Sequence, residues 1–279
     1  MPIALALVAA LVYGAGDFLG GLASRRSATV SVVVWSQGLG LLLLALVLPW
    51  FGGRPASGDF VWGAVCGVAG AAAIALLYRG LATGTMGVVS PLSAVLGAAI
   101  PMLYGIAVHA ERPPLLAYAG IAAALLAVVC VSAAGDAERG KARSGVLEGV
   151  LAGIAFGAFF IALAQTRAAA GLYPLLAARI SSVVLLALGG LAFGGIANVR
   201  IARPALPLVL ACGTLDMSAN ILYVIAAHSG MLAIVAVLTS LYPAATVGLA
   251  AIVLRERLNR LQWAGVALAL GGAIAIAAA

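Results

Sequence analysis

Tyr78, Met86, Glu111-Arg112 and Gly120 mark a stretch of this chain that is written a second time, 145 residues later, as Tyr223, Met231, Glu256-Arg257 and Gly265. No gap interrupts the match, and Tyr118 falls opposite Trp263 in the same register. Each copy lies in a half that divides into five apolar segments, each about 20 residues long, the length of helix needed to cross ~30 Å of hydrocarbon. Five is odd, so the second half enters the bilayer upside down relative to the first. Inverted duplication of this kind is the architecture of secondary transporters, whose working site lies where the halves meet.

Composition supports a membrane setting. Hydrophobic residues make up 65% of the chain and charged residues 8%, with a mean hydropathy of +1.21. A soluble protein of this length needs far more charge to cover its surface. Backbone polar groups in lipid must be satisfied within the segment, which selects helices, and the alternation of a membrane β-barrel is absent. The formal charge of +7 does not signal nucleic acid, because the basic residues sit in small groups at span ends without a basic face or an RNA-binding motif. Cys66, Cys130 and Cys212 lie inside apolar blocks without metal-ligand spacing and read as packing residues. The first 22 residues read as a span and not as a cleavable signal, since no basic region precedes them and Asp17 interrupts them.

The spans are expected at 3–22, 30–51, 60–80, 86–108, 115–134, 146–166, 173–194, 205–226, 231–254 and 261–278. The fold class is therefore an all-α polytopic membrane protein of ten helices in a 5+5 inverted repeat. Residues 1–134 form the first repeat and 146–279 the second. The linker 135–145 holds Asp136, Glu138, Arg139, Lys141 and Arg143, the longest polar stretch. The outer ends of the halves echo each other as well: Tyr13-Gly14-Ala15 against Phe156-Gly157-Ala158, and Phe51-Gly52-Gly53 against Phe193-Gly194-Gly195. Small residues such as Gly16 and Gly20, or Gly149 and Gly153, let membrane helices approach closely.

Connections after the odd spans carry eleven basic residues: Arg25, Arg26, Arg79, Arg139, Lys141, Arg143, Arg200, Arg203, Arg255, Arg257 and Arg260. Those after the even spans carry three, Arg54, Arg112 and Arg167. The positive-inside rule then places the odd connections in the cytoplasm and both termini outside.

A charge at the centre of a membrane helix costs ~2.5–3.5 kcal/mol on the insertion scale, so each one needs a reason. Asp216 falls near the middle of span 8, with Asn220 and Tyr223 on the same helix face. This stripe fits a substrate or proton site, or else a structural network to a neighbouring helix. Asp17, beside Tyr13 and Gly20, is either a coupling carboxylate or the structural partner of Arg79. Arg179 lies inside span 7, where an anionic substrate or Asp216 could satisfy it, or its side chain could snorkel. Tyr78, Gln37, Gln165 and Tyr242 are further pocket candidates. Pro91, Pro101 and Pro243 interrupt spans 4 and 9, freeing carbonyls and offering hinges or simple kinks. Glu111 and Glu256, each at a span end and followed by Arg, suggest a common capping or loop-bracing role.

No catalytic constellation or metal site emerges: His109 and His228 stand alone at span ends. There is no phosphate-binding loop for ATP and no potassium-type selectivity filter, so any pumping draws on a gradient. No cofactor is implied.

Tyr78-Arg79-Gly80-Leu81-Ala82 through Val89-Ser90-Pro91-Leu92, then Glu111-Arg112-Pro113 and Gly120, resemble the EamA family of the drug/metabolite transporter superfamily. In the second half Tyr242-Pro243, Leu254-Arg255-Glu256-Arg257-Leu258 and Gly265 carry the same resemblance. In the second half Glu256 lies thirteen positions after Pro243, as in the family pattern, whereas in the first half Pro101 lies only ten positions before Glu111. The resemblance covers essentially the whole chain. It implies a central cavity lined mainly by spans 1, 3, 4, 6, 8 and 9, alternating access, and export of small metabolites such as amino acids. Relatives are often described with both termini cytoplasmic, against the charge count here. Small multidrug relatives use an acidic residue in their first helix, a feature that Asp17 resembles without its surrounding motif.

The function expected is a proton-coupled or facilitative carrier that exports small polar metabolites. Uptake or multidrug efflux is the alternative. A non-transporting sensor or assembly subunit is the reading from a different class, and a membrane enzyme is the least supported. The partners implied are a small-molecule substrate and the lipid bilayer, with no nucleic acid and a monomer or homodimer as the assembly. Abundant Ala and Gly hint at a GC-rich bacterial genome and hence a bacterial plasma (inner) membrane.

Overall fold

The computed structural model describes residues 2–110, 112–135, 141–195, 199–229, 238–239 and 241–279. Glu111, Met231, Asp136, Glu138 and Arg139 lie outside the described residues, as do the side chains of His109, His228, Lys141 and Arg143.

Among the described residues the chain forms ten α-helices: α1 (Pro2–Ser24), α2 (Thr29–Phe51), α3 (Ser57–Thr83), α4 (Met86–His109), α5 (Leu115–Gly135), α6 (Lys141–Ala164), α7 (Tyr173–Gly194), α8 (Leu206–Ser229), α9 (Tyr242–Val253) and α10 (Arg260–Ala277). Eight of these elements contain stretches long and apolar enough to cross a membrane, and Leu115–Ala127 and Tyr242–Val253 are shorter apolar segments. Helix α5 continues through Gly135 and α6 starts at Lys141, so helix takes over part of the expected linker. The echoed Phe-Gly-Gly sequences both stop a helix. Gly52 after α2 and Gly195 after α7 have φ near +63° and +62°, the left-handed conformation that glycine adopts without a Cβ penalty. Asn259 opens α10 with a capping box, its side chain accepting from Gln262 N–H at 2.8 Å while Gln262 accepts from Asn259 N–H at 2.9 Å.

Packing repeats with the sequence. Helix α1 packs on α8 as α6 packs on α3, and α2 packs on α8 as α7 packs on α3. Helix α4 contacts α6 as α9 contacts α1. The pairs α2–α7, α4–α9 and α5–α10 join equivalent helices to each other, as a pseudo-two-fold axis requires.

The connections show which way each half points. On one face Arg26 donates to Pro204 O, and Ala202 N–H donates to Ser27 Oγ at 3.3 Å, so the end of α1 meets the start of α8. On that face too, Arg79 at the end of α3 pairs with Glu148 near the start of α6 at 3.1 Å. On the opposite face Arg54 N–H donates to Ala169 O at 2.7 Å, and Asp59 at the start of α3 pairs with Arg167 beyond the end of α6 at 2.8 Å. Helix α1 thus ends on the face where its counterpart α6 begins. The repeats are antiparallel.

Aliphatic and aromatic side chains cover the outside: Leu42, Leu46, Leu125, Val129, Leu188, Trp50 and Ile252 are all more than half exposed. Such a surface is stable only with lipid as its solvent. The core consists of close helix crossings. A Cβ on Gly213 would stand 2.6 Å from Ser36 O, and one on Gly153 2.6 Å from Leu96 Cβ. These glycines are what let α8 touch α2 and α6 touch α4.

Candidate functional site

Gln37 and Arg179 stand at equivalent positions of the two halves: Phe51 to Phe193 is an offset of 142, and so is Gln37 to Arg179. Both project from the α2–α7 pair on the pseudo-two-fold axis, and they meet there. The Arg179 guanidinium donates from Nη1 to Gln37 Oε1 and from Nη2 to Asp216 Oδ2, the latter at 2.5 Å. Arg179 does not snorkel; its side chain is 8% exposed and that of Asp216 20%. Asp216 is ten residues beyond Leu206, the start of α8, which at 1.5 Å per residue puts it about 15 Å deep, close to mid-bilayer.

The rest of the α8 stripe follows helix geometry. Asn220 Nδ2 donates back to Asp216 O at 2.8 Å, and Tyr223 packs beside Leu5, Ala6 and Ala226 against the first half of α1. From α1, Tyr13 and Asp17 stand one helical turn apart beside Gly16, which faces Asp216. Tyr242, at the start of α9, sets its ring against Tyr13 with centroids 6.3 Å apart and its hydroxyl beside Ser93 of α4. The half-buried residues Tyr13, Asp17, Asp216, Asn220, Tyr223 and Tyr242 therefore cluster where α1 packs on α8 and α9.

Asp17 is the exception in this network. The expected alternative partner, Arg79, is bound to Glu148, and Asp17 has no hydrogen bond or ion pair among the described residues. Its helix is held by small residues instead. A Cβ on Gly16 would lie in ordinary contact with Asp216 and Cys212, and one on Gly20 would fall 2.3 Å from the Tyr78 ring. The Tyr78 hydroxyl and the Cys212 thiol share a hydrogen bond at 3.1 Å.

Toward the arginine-rich face the seam is closely packed. Tyr78 is 2% exposed, Leu81 and Met86 0%, and Gly21 packs directly on the latter two. Beyond them Glu256 accepts from Met86 N–H and Gly87 N–H, both at 3.1 Å, and lies 3.7 Å from Arg25. A carboxylate at the N-terminus of α4 satisfies orphan donors and complements the helix dipole, so Glu256 caps and braces this face. Glu111, its counterpart, lies outside the described residues.

Other candidates sit elsewhere. Gln165 is exposed just past the end of α6 and donates to Ile161 O at 3.4 Å, away from the Arg179–Asp216 pair. Pro91 and Pro101 are inside α4. Pro243 does not kink a continuous helix: it occupies the first turn of α9, where its missing N–H costs nothing, after a turn at Leu241.

Three contributors were not singled out in the sequence, Glu148, Cys212 and Ser93, and one pairing between expected candidates was not drawn. Glu148 is a charge near the start of an apolar span, a signal of the same kind as Asp17. Arg179 and Gln37 could have been joined by their shared offset. Cys212 and Ser93 carried no signal, since neither residue type is unusual in a membrane helix. The resemblance also implied a lining without spans 2 and 7, which here supply Gln37 and Arg179. No group of three or more His, Cys, Asp or Glu is placed to hold a metal among the described residues.

Ten helices in antiparallel repeats around a charged seam define the architecture of a membrane transporter. The chain belongs to the EamA-like transporter family, which matches residues 1–133 and again 143–278. A solved structure described only as a crystal structure of a protein is similar in fold, with a TM-score of 0.57 at 16% identity over 96% of each chain. No curated protein matches the sequence.

Proposed function

We propose that the chain is a secondary carrier that exports small polar metabolites, amino acids among them, by alternating access. Flow is driven by a proton gradient or by the gradient of the cargo itself. The observation that supports this best is the charged seam on the pseudo-two-fold axis: Arg179 paired with Asp216, and Asp17 facing them without a partner. A fold that needs only stability gains little by keeping charges at mid-depth, because a buried ion pair is often no better than apolar packing of the same shape. A carrier does need them, since its cargo must leave water and find compensating groups in the bilayer.

The seal toward the arginine-rich face supports alternating access. It consists of helix ends from both halves, with Glu256 of the second half holding the start of α4 in the first. Rocking one half against the other opens such a seal without rearranging either half. The charge bias puts the arginine-rich face in the cytoplasm of a bacterial cell, with both termini outside. An impermeant reagent should then label a terminal tag on intact cells. Labelling only after the cells are broken reverses the orientation.

The function is tested by comparing extracellular metabolites from cells overproducing the parent chain with those producing Asp216→Asn at equal levels. One or more small polar compounds enriched only by the parent identifies cargo and site together. Identical metabolite profiles would count against export. Saturable flux by the purified chain in liposomes separates a carrier from a sensor or assembly subunit, which moves nothing alone.

A further inference from the structure

Away from the charged seam, a cavity of about 520 Å³ opens where the end of α4, the α4–α5 connection and the end of α10 meet, on the face opposite the arginine-rich one. Ala98, Pro101 and Met102 of α4 line it together with Arg112 of the connection and Ile276 and Ala279 at the end of α10. Ala98 lies eleven residues before His109, the last of α4, so at 1.5 Å per residue the lining runs about 16 Å along that helix. That is roughly one leaflet of a ~30 Å hydrocarbon core. Leu103 and Leu115, next in sequence to the lining, are 45% and 84% exposed, so the cavity adjoins surface that faces lipid. Arg112 is exposed and carries the only charged side chain of the lining. It follows the end of α4, whose dipole a guanidinium complements; that accounts for the charge but not for the apolar trough beside it. A small anion would use the guanidinium and leave the trough unfilled, and an aliphatic chain alone would leave the charge uncompensated.

We propose that this cavity binds one phospholipid from the leaflet opposite the arginine-rich face, its phosphate on Arg112 and one acyl chain along Ala98, Pro101, Met102 and Ile276. The phosphate oxygens accept charge-assisted hydrogen bonds from the guanidinium, and the chain gains van der Waals contact along a wall of apolar side chains. The lipid bridges α4 of the first half to α10 of the second. The site is separate from the Arg179–Asp216 seam, so it stands whether or not the seam carries cargo.

Native mass spectrometry tests this on the purified full chain, stripped of lipid in detergent and titrated with dioleoylphosphatidylglycerol, dioleoylglycerol or inorganic phosphate. The phospholipid should give one saturable adduct that a large excess of inorganic phosphate does not displace, and dioleoylglycerol should give none. Arg112→Ala should weaken the adduct about tenfold or more, as expected for loss of hydrogen bonds to a charged group. Arg54→Ala removes an exposed arginine of the same face outside the cavity and should leave it unchanged. Met102→Trp narrows the trough without touching the charge and should weaken the adduct several-fold. Unchanged affinity in folded Arg112→Ala or Met102→Trp overturns the inference, as does the absence of a saturable phospholipid adduct. Saturable binding of dioleoylglycerol with the phospholipid's affinity overturns it too. Phosphate that binds alone and displaces the lipid would make this an anion site. A dimer that survives added lipid and is lost in Arg112→Ala would give the cavity to a second copy of the chain. Either result contradicts a lipid site.

Discussion

The α1–α8 crossing and the α3–α6 crossing are the same contact made twice, once on each side of the pseudo-two-fold axis, yet they differ in where their charges sit. In α1–α8 the charges are central: Asp17 and Asp216 flank the crossing at Gly16. In α3–α6 they are at both ends, Asp59 with Arg167 and Glu148 with Arg79, while the middle is Gly70 against the Phe159 ring. The position equivalent to Asp216 is Ala71, 1% exposed, and the position equivalent to Asp17 is Phe160. One copy of the duplicated contact became a stapled apolar strut, and the other kept a polar middle. The difference teaches that this crossing forms without charge in one of its two copies, in keeping with the role proposed above for the charges in α1–α8.

Breaking the polar seam should have the largest effect. Arg179→Ala leaves Asp216 without its partner and should cost about 3–5 kcal/mol, read as loss of unfolding stability in detergent. Arg179→Ala combined with Asp216→Ala should recover much of that loss. No recovery would show that the two residues act separately. Moving charge into the strut should cost nearly as much. Ala71→Asp places a carboxylate in the apolar crossing without a guanidinium, and ~2.5–3.5 kcal/mol is expected from the insertion scale, visible as reduced yield and melting temperature. Unaltered stability in that variant would erase the distinction between the two crossings.

Smaller changes sharpen it. Gly20→Ala drives a Cβ to 2.3 Å from the Tyr78 ring and should destabilise by about 1–3 kcal/mol. On the same helix Gly16→Ala meets nothing nearer than 3.6 Å and should change stability by no more than about 0.5 kcal/mol. A small effect is expected from the strut's end as well. Glu148→Gln removes charge with little change of shape and should cost about 1 kcal/mol or less in thermal unfolding, with KM for cargo unchanged. A changed KM would mean that the strut takes part in binding.

Much of this was legible before any coordinates. The repeat at a fixed offset dictated antiparallel halves, because an odd number of spans leaves no other way to thread the second copy. Asp216, Asn220, Tyr223, Tyr13 and Asp17 announced themselves as polar groups in apolar surroundings. What the sequence leaves open is partner choice. Nothing in the spacing of Asp17, Arg79 and Glu148 says which acid the arginine takes, since that depends on how α3 lies between α1 and α6. The placing of Gln165 failed for a related reason: a glutamine one residue past a helix end points to a face rather than a seam, and span ends are the least defined feature of an apolar block. Pro243 reads as a kink when its span is taken as continuous and as a helix start once the turn at Leu241 is seen.

The most direct test is flux through a seam neutralised without loss of shape. Arg179→Gln with Asp216→Asn, in one chain reconstituted into liposomes, keeps hydrogen-bonding groups and removes both charges. A melting temperature close to the parent's, with saturable efflux of the cargo found in the metabolite comparison abolished, is the predicted result. Efflux at the parent's rate and KM in that folded variant would contradict the assignment of transport to the seam.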